Sequence, residues 1–132
     1  MTVTPIYASV LALVFLILST NVIAIRRSRK ISLGDGDDAL LRRRIRAQAN
    51  FAEYVPLALI LIVMVEERGA HGGLVHGLAA ALLVGRAMHG FALSTLTKRP
   101  FHRTVGMVVT LAVIGIALIA CLVQATGLSL GG

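Results

Sequence analysis

Four apolar runs, each close to twenty residues long, divide the chain at three short polar stretches. They cover roughly residues 5–25, 45–65, 74–96 and 105–125. Crossing a hydrocarbon core of about 30 Å takes about 20 residues of helix at 1.5 Å rise per residue, so each run is long enough to span a membrane. The first run stops at Arg26, Arg27, Arg29 and Lys30. A turn-forming stretch follows, in which Gly34, Asp35, Gly36, Asp37 and Asp38 favour a loop and place a capping acid before the next helix. That second helix starts near Ala39, is basic in its early turns and apolar afterwards, and carries Pro56, which predicts a bend. A short loop from Glu66 to Gly73 leads into the third run. Lys98, Arg99, Pro100, His102 and Arg103 separate the third run from the fourth. The pattern predicts an all-α, integral membrane four-helix bundle in one domain over residues 1–132, with a tail too short to be a domain.

Composition fits lipid as the solvent. Hydrophobic residues make up 57% of the 132, with a mean hydropathy of +0.86, against roughly 45–50% in soluble domains. The net charge of +7 points to nucleic acid only if the cations cover a soluble face, and here they lie between the spans. Eight Lys and Arg fall between the first span and the opening turn of the second, Arg46 included, and three between the last two, while Arg68 alone lies on the other side. The positive-inside rule therefore puts both basic loops in the cytoplasm and both termini on the far side. The first run has no basic start, so it reads as a retained helix. Cys121 is a lone cysteine in an apolar run and reads as packing.

Polar residues inside apolar spans are costly unless paired or wet, and they are the candidates for function. On the second helix Arg43, Arg46, Asn50 and Glu53 recur at i, i+3, i+7 and i+10, which stacks them along one stripe beside Tyr54. On the third helix Arg86 sits mid-span, too deep to snorkel to water, and His89 and Gly90 follow at i+3 and i+4. Glu53 is the only intramembrane acid available to Arg86. One reading is an ion pair locking the two helices. The other is a polar pocket open to the cytoplasm, where Arg43, Arg46 and Arg103 offer positive charge to an anionic ligand.

Arg43, Arg46, Ala47, Gln48, Asn50, Glu53, Tyr54 and Pro56 together read R-x-x-R-A-Q-x-N-x-x-E-Y-x-P. This resembles the signature of the MAPEG family, the membrane-associated proteins in eicosanoid and glutathione metabolism, and the likeness extends over almost the whole chain. The resemblance implies a homotrimer with glutathione, as thiol substrate, held between protomers. Residue by residue, it implies that Arg46, Asn50, Glu53 and Tyr54 are second-helix ligands, Glu53 for the ammonium and Arg46 for a carboxylate. Arg43 belongs to the same stripe. Arg86 and His89 match third-helix positions, Arg27 (or Arg26 beside it) matches the first-helix arginine, and Arg103 matches the arginine that holds the thiol as thiolate. An arginine suits that task because it stays charged. The second substrate is then a lipophilic electrophile entering from the bilayer, and the reaction a thiol transfer or a peroxide reduction.

Leu93 stands where eicosanoid-forming relatives carry a tyrosine, so the chain reads as a divergent bacterial-type member of an inner membrane, using glutathione or another thiol. A non-catalytic protein binding a lipid or a partner in the same pocket is the rival. A four-helix multidrug exporter fits less well, because the first span lacks an acid. Other polar residues take plainer roles. His71, His76 and His102 lack the neighbours of a metal site. Arg42 and Arg44 read as contacts to anionic headgroups, and Ser19 and Asn21 as helix-packing contacts. Gly77, Gly85, Gly90 and Gly106 suggest close helix approach.

Overall fold

The computed structural model describes residues 1–127, so the short tail beyond Gly127 lies outside the described residues. Four helices account for the fold: α1 (Thr4–Arg29), α2 (Ala39–Glu67), α3 (Gly72–Leu93) and α4 (Pro100–Ala125). Each is long and apolar enough to cross a membrane, and no strand occurs among the described residues.

The helix ends show how the loops set the spans. Pro5 in the first turn of α1 fixes a helical φ and has no N–H to leave unsatisfied. No side chain of that turn caps it. Instead the Glu66 carboxylate, at the far end of α2, accepts from the backbone N–H groups of Thr2, Val3 and Thr4 at 2.6, 2.7 and 2.9 Å, and from the Thr4 hydroxyl. A helix start thus takes its cap from a neighbouring helix. At the other end of α1, Lys30 turns left-handed with φ 56° and stops the helix. Asp38 caps α2 in the predicted way, its side chain accepting from Leu41 N at 2.8 Å. Then α2 runs unbroken through Pro56.

Both boundaries at the α3–α4 turn differ from the apolar runs. α3 stops at Leu93, short of residue 96, and α4 begins at Pro100, ahead of residue 105. Apolarity reports which residues prefer lipid, whereas a helix end is set by where backbone carbonyls find other donors and where a proline restarts the chain.

Packing places α2 and α3 centrally, with α1 and α4 at the edges; among the described residues α1 and α4 do not touch. Leu11, Phe51, Val55, Ile62, Leu82 and Val113 are buried where the helices meet. The tightest approach joins α3 to α4. A Cβ on Gly106 would stand 2.5 Å from the Gly85 carbonyl oxygen and 2.9 Å from His89 N, so only glycine fits there. Gly77 faces open space, and the close approach expected of it does not occur.

The loop cations also differ in part from expectation. Arg42 pairs with Asp35 and Asp37, and Arg44 donates through Nη1 to the Asn21 carbonyl of α1 at 3.1 Å. Arg44 is half-buried between helices and does not reach out to headgroups. Ser19 accepts from Gln48 Nε2 at 2.9 Å, a helix-packing contact as expected.

Candidate functional site

Arg86 is the centre of the bundle's chemistry, a guanidinium with 0% exposure. Its Nη2 donates to Asn50 Oδ1 at 2.6 Å and meets His89 Nδ1 at 3.3 Å. The guanidinium carbon lies 5.9 Å from the ring centroids of both Phe51 and Tyr54, and Nη1 is 4.0 Å from Met107 Sδ. Nε has no partner. Arginine only donates, so His89 Nδ1 must accept, and the neutral ring then carries its proton on Nε2.

No carboxylate reaches Arg86 among the described residues, and the expected pairing with Glu53 does not form. Glu53 Oε1 instead lies 3.8 Å from Arg46 Nη1, and both side chains are more than half exposed, 53% and 57%. The geometry of α2 explains the split. Tyr54 follows Asn50 at i+4 and shares its face, whereas Glu53 at i+3 and Arg46 at i−4 fall to the outer side. Asn50 and Tyr54 therefore turn toward α3, and the ion pair turns out of the bundle. It stands there above Leu57, Ile60 and Met64, an otherwise apolar strip.

Two further arginines meet at the turn between α3 and α4. Arg43 reaches across from α2, donating Nε to the Thr95 carbonyl and Nη2 to the Ala92 carbonyl at 3.0 Å. It thereby satisfies carbonyls that the end of α3 leaves free. Arg103, in the first turn of α4, lines one wall of a pocket of about 200 Å³ with Arg43, Ala92, Lys98, Arg99 and Pro100. Arg27 sits apart on the last turn of α1, exposed and beside Arg26 and Lys30.

The structure thus brings the candidate residues into three groups. Arg86, Asn50, His89 and Tyr54 form one cluster inside the bundle. Arg46 and Glu53 form a pair on its outer face, and Arg43 and Arg103 stand at the α3–α4 turn. Sequence reasoning did not single out Phe51 and Met107, which complete the surroundings of Arg86. Phe51 follows Asn50 directly and carried a signal, but Met107 lies on another helix and carried none.

This arrangement sits on a chain whose residues 4–123 match the MAPEG family model. The chain belongs to the MAPEG family. Among curated relatives of this MAPEG protein is the inner membrane protein YecN of Escherichia coli, in strains K12 and O6:H1. It is 36% identical over 87 residues, a stretch that spans 66% of each chain, just under two thirds. Four spans and a relative named for the inner membrane make this MAPEG member an integral, multi-pass inner-membrane protein.

Proposed function

We propose that this MAPEG protein is a membrane-embedded, glutathione-dependent transferase or peroxidase for lipophilic electrophiles, with a site completed by a second protomer of a homotrimer. The observation that carries the reading is the Arg46–Glu53 pair. A carboxylate and a guanidinium stand more than half exposed on the apolar outer face of a membrane helix. Hydrocarbon is a poor medium for such a pair, so a polar covering favours the fold. Glutathione fits the donor set: its ammonium suits Glu53 and its carboxylates suit Arg46 and Arg27. Arg86 is held by neutral acceptors alone, which leaves its positive charge free to favour an anion nearby.

The Arg103 side chain has no hydrogen-bonding partner among the described residues, so its guanidinium supplies a fixed cation that favours a thiolate over a thiol. The thiol contributes the nucleophile, and the bilayer delivers the apolar partner. In this reading both basic loops face the cytoplasm, where glutathione is available to the site.

The test is titration of the detergent-purified protein with glutathione while thiolate absorbance in the ultraviolet is followed, in wild type and in Arg103→Ala. Thiolate formation that disappears in the variant while binding persists supports the reading. Binding without thiolate in the wild type moves the protein to the non-catalytic class, and absence of binding removes glutathione as its ligand.

A further inference from the structure

Every acidic side chain of this chain is used away from the α3–α4 turn. Asp35 and Asp37 face Arg42, Asp38 faces Arg29, Glu53 faces Arg46, Glu66 caps α1, and Glu67 lies 3.1 Å from the N-terminal ammonium. The headgroup contacts expected of Arg42 and Arg44 are pre-empted by these and by Asn21.

Two clusters of cations on the basic loops keep no acid partner among the described residues. Arg27 and Lys30 border an open depression on the last turn of α1, where the helix carbonyls already supply negative charge. Lys98, Arg99 and Arg103 instead surround the 200 Å³ pocket, whose wall Arg43 completes. No acid lines it. The pocket adjoins the start of α4, whose positive end adds to the cations, and no side chain caps that end. Its surroundings are apolar and exposed: Phe91, Leu96 and Phe101 stand uncovered, and the Arg99 guanidinium lies 5.3 Å from the Phe91 ring centroid.

A compact cationic cup beside exposed aromatic and aliphatic side chains, at the edge of two membrane helices, matches an anionic amphiphile. We infer that this pocket seats the headgroup phosphate of an anionic membrane lipid, with the acyl chains lying against Phe91, Leu96 and Phe101. Lys98 and Arg99 supply the charge that selects an anionic over a zwitterionic headgroup. The pocket shares Arg103 with the thiol chemistry proposed above, whereas Lys98 and Arg99 belong to the pocket alone, so they are the residues that separate the two.

Native mass spectrometry of the full chain, offered equimolar phosphatidylglycerol and phosphatidylcholine with the same acyl chains, tests it. Wild type is expected to retain phosphatidylglycerol in preference. The double variant Lys98→Gln/Arg99→Gln is expected to lose about tenfold of that preference, each single variant losing part of it. Both side chains are exposed and neither makes a hydrogen bond among the described residues, so the fold does not depend on them. A second double variant, Arg27→Gln/Lys30→Gln, removes the same charge at the rival cluster and is expected to keep the preference. An equal loss in both double variants means bulk attraction to charge and overturns the site. Inorganic phosphate at the lipid's concentration is expected to displace nothing; displacement makes the ligand a free phosphate and overturns the lipid assignment.

Discussion

At the scale of single residues, Arg86 separates cost from use. A buried guanidinium with no carboxylate loses its hydration and recovers it only in part through Asn50, His89 and two aromatic rings. Replacing such a cation by an apolar side chain of similar length is often neutral or stabilising. Arg86→Met is therefore expected to melt at or above the wild-type temperature in detergent while glutathione affinity falls at least about tenfold, the effect of one lost charge-assisted contact. A melting loss worth about 3 kcal/mol or more, with binding kept, would show that Arg86 is a structural lock. Gly106 gives the opposite case. Its missing Cβ is what lets α4 approach Gly85 and His89, so Gly106→Ala is expected to cost about 1–3 kcal/mol in thermal unfolding through overpacking. Gly77→Ala meets nothing within 4 Å and is expected to leave the melting temperature unchanged or raised, which makes the pair a test of packing rather than of helix propensity.

Elements are held at their ends by residues from other elements, and here the sequence was only partly legible. The four spans could be read because run length and hydropathy alone decide them. Arg86 could be read as exceptional because its depth is a matter of counting. Its partner could not: the spacing of α2 put Asn50 and Glu53 on one stripe, and only the rotation of α2 against α3 decides which of them points inward. Arg44 was misplaced for the same reason, since its acceptor is a carbonyl on α1 and carbonyls leave no trace in a sequence. Arg43 illustrates the consequence. Its two bonds to Ala92 and Thr95 end α3, so Arg43→Ala is expected to expose the Ser94–Arg99 turn to limited proteolysis, with a stability loss of about 1.5–3 kcal/mol. Unchanged cleavage at that turn would remove the capping role. The α1–α2 loop offers a pH test outside the membrane. Asp35 is held below the usual carboxylate value by its hydrogen bond from Arg42 and then by the Asp37 backbone N–H. A depressed folded pKa gives stability that is present above the unfolded value of 3.8 and is lost as pH falls through the folded one. Acidification into that range is expected to lower the melting temperature slightly in wild type, and less in Asp35→Asn; equal responses would show that this pair contributes nothing.

For the whole molecule, the argument turns on surfaces that one protomer leaves uncovered. The edge helices α1 and α4 do not meet, and both present large apolar side chains outward, among them Leu13, Leu16, Leu118 and Ile119. Lipid covers such faces without help, so they do not by themselves call for a second copy. Arg46 and Glu53 are different, because the same lipid solvates an ion pair poorly. If a neighbouring protomer and the bound thiol cover that pair together, binding and assembly are linked, and each must strengthen the other. Dilution of the purified protein in excess detergent is then expected to dissociate the assembly and to abolish glutathione binding in step, while added glutathione shifts dissociation to lower protein concentration. Light scattering measures the assembly and calorimetry the binding on the same samples. Binding that persists in isolated protomers would place the thiol inside one bundle, around Arg86 and Asn50, and leave the outer ion pair as a contact to lipid headgroups alone.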